Sequence, residues 1–474
     1  MFTKSYARII FLLLIALIVL LSPSFIRSSK TYIGEDSYFY SRLSEKINAG
    51  DYSYDELSYS GRYFTYSLAQ PLIFLFFSRL FPEYLIINII PVIFAMLSLF
   101  LFYKILKEFY IEPNVIYFSL ISLIVSPPFI YVFSSYNEFT SLTFFMLLAL
   151  YFFIKENSIL NGISYFLFFI IPFFGYKYSI LALALILIYC IKEKKIKRFY
   201  KALLASTASL SFIYLPNIYK FGFSESAIFD KEINYKYLFS DLGSNFGISI
   251  FILFLSFFGL NYLWKSKYKY LHAYLALITF IILIFYYPRF IIYLNFALSI
   301  LSALGLIYLL RSKWESDAVR KLTMWFLIIG LCFSTVTFIT ETSKEEPNQE
   351  LYVALTFLKS YDNSNEVVFS HYRYGLLINA VADKKNMMDS KFLYAPKLNE
   401  RYADSQDLFY TRNFNTASNI TYKYNIRYIL ITKEMKDGLV WDREDDGLLF
   451  LLNSINQYKK IYSNNDIEIW RIKK

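Results

Sequence analysis

Long apolar blocks constrain this chain more than any other feature. Runs of roughly 17–22 apolar residues recur between short polar loops, each long enough to cross a hydrocarbon core about 30 Å thick. In hydrocarbon a backbone must satisfy its own hydrogen bonds, so the runs predict a polytopic α-helical membrane protein. Bulk composition agrees: 57% of residues are hydrophobic and 18% charged, against about half and a quarter in soluble domains.

Eleven spans are expected, near 8–25, 85–103, 115–131, 138–154, 159–173, 176–191, 202–218, 246–263, 271–287, 290–310 and 322–340. The first follows Lys4 and Arg8 like a signal peptide, but SPSFIRSSK is a poor small-residue cleavage site, so a retained helix is expected. The stretch LAQPLIFLFFSRLF (68–81) is short and carries Pro71 and Arg79, which reads as a helix lying in the membrane interface. The net charge of +11 would admit nucleic acid as a partner, were the basic residues not concentrated in alternate short loops. Lys104, Lys107, Lys155, KEKKIKRFYK (192–201), KSKYK (265–269) and RSKWESDAVRK (311–321) share one side, whereas SSYNE, GYKYS and YYPR on the other are poorer in Lys and Arg. The positive-inside rule then predicts an integral plasma-membrane protein with a cytoplasmic N-terminus and an external C-terminus, and no nucleic-acid partner. Cys190 and Cys332 both lie in apolar blocks, so no disulfide framework is expected.

Two external segments exceed simple connectors: the first loop, about 26–84, and the tail, 341–474; a moderate loop covers 219–245. The expected domains are therefore 1–340, transmembrane and including the first loop, and 341–474. In the tail, helical LYVALTFLKSY (351–361) and GLLFLLNSI (447–455) alternate with strand-like EVVFS (366–370), IRYILIT (426–432) and IEIWRI (467–472), predicting a small α/β domain. The sequon Asn419-Ile420-Thr421 fits an external location. No internal repeat or low-complexity linker stands out.

No phosphate loop, zinc spacing or Ser-His-Asp pattern is present, and His272 and His371 have no partner at ligand spacing. The acids say more. Glu35 and Asp36 open the first external loop in GEDSYFYSRL, and Glu138 begins the fourth span in SSYNEFTS. A first-turn acid favoured by the helix dipole is the ordinary explanation, but two adjacent acids exceed what one helix start needs. On one face of the membrane, Asp36 and Glu138 suit a general base or ligands for Mg²⁺ or Mn²⁺, with Glu35 in support. Arg289 in YYPRFIIY and Lys177 in GYKYS are expected on the same face. Snorkelling accounts for Lys177 well; the planar fork of Arg289, fixed by Pro288, suits a phosphate.

These features together resemble the GT-C glycosyltransferases, integral membrane enzymes that take sugars from polyprenyl- or dolichyl-phosphate carriers. Within that superfamily the chain looks like a divergent relative of the oligosaccharyltransferase catalytic subunit. GEDSYFYSRL is similar to the family's first acidic motif, and SSYNE to its second, usually Asp-x-Glu or Asp-x-Asp, with Tyr136 at the first acid position. VVFSHYRYGLLINAVADKKNMMD (367–389) is similar in layout to the region of the family's Trp-Trp-Asp-Tyr-Gly motif. Here the five positions read His371-Tyr372-Arg373-Tyr374-Gly375, and only Tyr374 and Gly375 match. An Arg at the Asp position cannot accept a hydrogen bond from a sequon hydroxyl, so the resemblance does not carry sequon N-glycosylation with it.

The resemblance implies a lipid-phosphate sugar as donor, a glycan, lipid or protein as acceptor, and an inverting transfer. Asp36 would be the base or a metal ligand, Glu138 and Glu35 its support, and Arg289 with Lys177 the counter-charge to the departing phosphate. A transporter or flippase for a lipid-linked sugar is the second reading; it calls for ionisable residues in mid-membrane, which the spans almost lack. A non-catalytic relative that binds glycan through its tail is the third, kept open by the reduced second motif.

Overall fold

The computed structural model describes residues 2–109, 111–155, 157–223, 238–244, 246–362, 366–443 and 445–473. Much of the loop expected at 219–245 lies outside them. The chain packs as two compact units, one of residues 1–28, 81–216 and 232–344, the other of 29–80, 217–231 and 345–474. A boundary drawn from sequence at 340 follows connectivity; packing instead groups 29–80 with the tail.

The first unit is helical. Helix occupies each of the eleven apolar blocks. Among the described residues, five helices are long and apolar enough to cross a membrane: Ala7–Ile26, Glu83–Glu108, Ile196–Phe221, Pro288–Arg311 and Asp317–Ser343. The block expected as one span at 115–131 is instead two helices, Pro113–Ile124 and Pro127–Ser134, bent by 61°. Pro127 and Pro128 carry no backbone N–H and clash with a preceding turn, so one helix ends at Ile124 and the next starts after Ser126. Counted as one span, that pair makes six; the apolar helices Glu138–Ile154, Ile250–Trp264 and Leu271–Tyr286 are shorter.

Small and polar side chains hold these helices together where a greasy surround offers little drive. A Cβ on Gly259 would lie 2.0 Å from the Leu301 carbonyl oxygen, and one on Gly305 would lie 1.9 Å from that of Leu255, so Ile250–Trp264 and Ile291–Arg311 touch through bare backbone. Beside this crossing Ser256 Oγ donates to the Leu298 carbonyl at 3.0 Å. Asn295 Nδ2 donates to Ser126 Oγ at 2.7 Å, and the Ser122 and Ser302 hydroxyls meet at 2.6 Å.

The second unit is α/β. A two-stranded ribbon pairs β1 (Tyr54–Asp55) with β2 (Arg62–Tyr63). A five-stranded sheet comprises β3 (Val367–Phe369), β4 (Lys385–Asn386), β5 (Ile426–Thr432), β6 (Tyr458–Ser463) and β7 (Ile467–Ile472), in the order β4-β3-β5-β7-β6. Strand β3 runs parallel to both β4 and β5, while β5, β7 and β6 are antiparallel. The run Tyr428–Thr432 is buried throughout, as a central strand covered on both faces requires. Leu351, Leu355 and Leu358 from helix Gln349–Tyr361 and Leu448 and Leu452 from helix Gly447–Ser454 join its core. The first loop folds into this unit. Its helix Glu35–Asn48 buries Ser37 to Ser41, Leu43 and Ser44, and Asn386 N donates to the Leu57 carbonyl at 3.0 Å. The apolar helix Ala69–Ser78 leaves Leu72 and Phe76 exposed. Asn419 is exposed on helix Phe414–Lys423, and the Thr421 hydroxyl is buried and donates to the Ser418 carbonyl.

Candidate functional site

The chain turns sharply into helix Glu35–Asn48 at Gly34, whose φ of 78° favours glycine. That turn puts Glu35 and Asp36 on the helix's first turn, at the positive end of its dipole. Asp36 Oδ1 accepts a 2.8 Å hydrogen bond from Lys391 Nζ, and the two side chains are 19% and 22% exposed. Among the described residues Asp36 Oδ2 takes no hydrogen bond. The Lys391 ammonium also lies 5.0 Å from the Phe39 ring and 5.7 Å from that of Tyr40, a cation–π cradle.

Glu35 is built differently. Its Oε1 accepts from Ser390 Oγ at 3.0 Å, while Oε2 is buried with no partner. Burial, with Asp36 adjacent, pushes this carboxyl up to about 8. It therefore keeps its proton at neutral pH.

Further polar contacts fix the pair. Arg42, on the same helix, grips Asp55 with two parallel bonds, Nη1 to Oδ1 at 2.9 Å and Nη2 to Oδ2 at 2.7 Å, and the Tyr66 hydroxyl donates to Oδ2 at 2.8 Å. Burial alone would raise Asp55; the Arg42 bonds outweigh it and hold the carboxyl down to about 2. In the segment after β4, buried Asp389 accepts from Ser58 Oγ at 2.6 Å and Asn386 Nδ2 at 3.3 Å through Oδ2, and from the Lys391 backbone N–H at 2.9 Å through Oδ1. The Tyr59 hydroxyl donates to the Asp389 carbonyl at 2.8 Å. Lys391 is thus held at its backbone as well as at its ammonium.

In the helical unit, Glu138 stands at the start of Glu138–Ile154, next to an N-cap that leaves nothing for it to do there. Asn137 Oδ1 accepts from Phe139 N at 2.9 Å, and Thr140 completes a capping box. Glu138 instead forms an ion pair with Arg289 Nη1, from the tight turn Pro288–Phe290. The Arg289 side chain is 42% exposed and Glu138 21%. Lys177 places its ammonium 4.2 Å from the centre of the Tyr287 ring. Tyr136, where the resemblance has a second acid, is fully buried.

The HYRYG stretch forms a short turn after β3. His371 Nδ1 accepts from the Arg373 backbone N–H at 3.4 Å. Burial, with Arg373 nearby, lowers the imidazole to about 4, so it stays neutral at ordinary pH. The Tyr374 hydroxyl donates to Glu434 Oε2 at 2.9 Å and accepts from Thr432 Oγ1 at 3.0 Å. A Cβ on Gly375 would stand 2.2 Å from the Met388 carbonyl oxygen, which explains the glycine. Arg373 is exposed.

Of the residues named from sequence, Glu35 and Asp36 share one cluster, and Glu138 pairs with Arg289 beside Lys177 and Tyr287. The two groups belong to different compact units. Lys391, Asp389, Arg42 and Asp55 were not named as site residues; Lys391 lies 355 residues from Asp36, with no local pattern linking them.

The expected Mg²⁺ or Mn²⁺ site at Asp36 and Glu138 does not fit the donors present. Each carboxylate faces a cation of the protein, Lys391 or Arg289. Both Asp389 oxygens are taken by protein donors, and so is Glu35 Oε1. Among the described residues no group of three or more His, Cys, Asp or Glu side chains is arranged to hold a metal ion.

No protein-family model matches the chain, and no curated protein matches it in sequence. Solved structures do match in fold. The oligosaccharyltransferase AglB of Archaeoglobus fulgidus, in complex with an inhibitory peptide and a dolichol-phosphate, superposes with a TM-score of 0.66 at 15% identity, over 96% of this chain and 72% of that one. ArnT from Cupriavidus metallidurans in the apo state gives 0.60 at 12% identity, over 98% of each chain. The mycobacterial arabinofuranosyltransferase AftD gives 0.58 at 12% identity, over 98% of this chain and 41% of that one. All three are GT-C glycosyltransferases. This chain is a helical integral membrane protein with the GT-C glycosyltransferase fold.

Proposed function

We propose that the chain is an inverting glycosyltransferase that moves a sugar from a polyprenyl- or dolichyl-phosphate carrier to a hydroxyl or amide of a glycan, lipid or protein. In this reading the membrane is the plasma membrane, crossed eleven times, with the N-terminus cytoplasmic and the tail unit external; the alternation of Lys and Arg among the loops supports that orientation. The donor class is supported by the fold together with the dolichol-phosphate bound to AglB and the undecaprenyl phosphate bound to ArnT.

The observation that carries the proposal is the Asp36 carboxylate. One oxygen is pinned by Lys391 while the other takes no hydrogen bond from the described residues, and the side chain is partly open to solvent. That is the state a general base needs before substrate arrives. Asp36 takes the acceptor's proton as the acceptor atom bonds to the anomeric carbon. The bond from that carbon to the phosphate oxygen breaks, and the lipid phosphate leaves with the electron pair. Attack opposite the leaving group inverts the configuration. Arg289, half-exposed and steadied by Glu138, counters the charge that develops on the phosphate, with Lys177 assisting.

Incubating the purified protein with a panel of polyprenyl-phosphate sugars and measuring free lipid phosphate tests this reading. Release by wild type that vanishes in Asp36→Asn is the expected result. Equal release by both proteins would sink Asp36 as the base.

A further inference from the structure

The Asp36 cluster brings three carboxyl groups, those of Glu35, Asp36 and Asp389, to the one segment that carries the Lys391 ammonium. A divalent ion seeks several oxygen ligands at about 2.0–2.6 Å. Here most of the oxygens such an ion would use are engaged: Asp36 Oδ1 by Lys391 Nζ, Glu35 Oε1 by Ser390, and both Asp389 oxygens by Ser58, Asn386 and the Lys391 N–H. Asp36 Oδ2 and Glu35 Oε2 are left, fewer than the shell of a divalent ion needs, beside an ammonium that would repel it.

The ammonium is also a built feature. Its backbone N–H is fixed by Asp389, its neighbour Ser390 holds Glu35, and its side chain lies against Phe39 and Tyr40 from the helix that carries Asp36. A lysine held at both its backbone and its head group contributes a fixed charge without a large ordering cost at the moment of reaction.

We infer that the Lys391 ammonium is the resident cation of the Asp36 site, and that transfer at Asp36 proceeds without a divalent metal ion. Lys391 is then a positioning residue. It offsets the carboxylate's charge, pins Oδ1, and leaves Oδ2 directed for proton uptake. The inference rests on the transferase reading for its activity arm, but its binding arm stands without it.

The binding arm titrates the full-length protein in lipid nanodiscs with Mn²⁺ alone, followed by the loss of the free-ion electron paramagnetic resonance signal. Wild type and Asp36→Asn should give the same curve, with no Asp36-dependent bound ion at millimolar metal. One Mn²⁺ bound per wild-type chain and lost in Asp36→Asn would overturn the inference, whatever the protein transfers.

The activity arm measures lipid-phosphate release in the presence of excess chelator. Wild type should be unaffected. Lys391→Gln should lose about a hundredfold in kcat, the usual scale for removing one preorganised charge. Lys391→Arg should recover most of that loss, which a merely structural lysine would not require. Chelator-sensitive wild type, or Lys391→Gln as fast as wild type, would also overturn it. If no donor yields lipid phosphate, the transferase reading fails, and the Mn²⁺ titration still decides the role of Lys391.

Discussion

Asp36 and Glu138 are both first-turn acids with a cation partner, but the partners are presented in opposite ways. Lys391 is held at both ends and is about as exposed as the acid it serves, 22% against 19%. Arg289 is twice as exposed as Glu138, 42% against 21%, and projects from a tight turn. In our proposal the acid of the first pair is the reacting group, with one oxygen unbonded and the cation as support, and in the second pair the exposed cation acts with the acid as support. Two first-turn acids would then serve opposite chemical tasks, proton uptake and anion stabilisation.

The sharpest way to break this comparison is to remove the offered group of each pair. Asp36→Asn keeps the shape but not the base, and should reduce lipid-phosphate release by about 10²–10⁴-fold. Arg289→Ala should cost about 10²–10³-fold through kcat. Glu138→Gln leaves the guanidinium in place and should cost less than either. A Glu138→Gln variant as slow as Asp36→Asn would reverse the assignment and make Glu138 the reacting acid.

The supports of Asp36 can be tested through stability. Arg42→Ala strands Asp55, whose side chain is 1% exposed, without its bidentate partner. Losing one member of a buried pair costs about 3–5 kcal/mol, visible as a lower melting temperature in detergent. Asp55 also gives a pH signature. Its folded pKa is about 2, below the ordinary carboxylate value of 3.8. Its contribution is therefore complete above about pH 4 and disappears as pH falls towards 2. The wild-type advantage over Asp55→Asn should shrink across that window; an advantage that stays level would show that the Arg42 pair does not set it.

Much of the helical unit was legible because a span carries its own signal in its apolar residues. The break at Ser126 was missed although its signal was there: Pro127 and Pro128 sit inside the block read as one span on its apolar residues. In the site, Asp36, Glu138 and Arg289 could be singled out because charge beside a membrane is costly. Their partners could not. Lys391 and Asp36 are 355 residues apart, and Arg289 and Glu138 are 151 apart. No periodicity spans such distances. A charged residue in a sequence announces that a partner is needed, and only the fold says which. The metal expectation arose from that gap: in sequence Arg289 and Lys177 read as partners of a phosphate and the carboxylates as ligands of an ion, whereas Arg289 pairs with Glu138 and Lys391 with Asp36.

The smallest effect concerns Glu35, the acid that differs from Asp36 within the same turn. Its folded pKa is raised from 4.5 to about 8 by burial and by Asp36. The folded state therefore holds a proton that the unfolded chain releases above about pH 4.5. The stabilisation from that proton is complete below the unfolded value and is lost as pH rises through about 8. Gln at this position cannot ionise, so Glu35→Gln should gain on wild type as the medium is made alkaline. The difference in melting temperature between about pH 5 and pH 9 should amount to a few degrees. A constant difference would mean that Glu35 is already ionised at neutral pH, and the contrast between a proton-holding Glu35 and a proton-accepting Asp36 would fall. Lys391 lowers Glu35 as it pins Asp36, so in a Lys391→Gln background the difference should grow more steeply; growth unchanged there would show that the two acids do not share the ammonium.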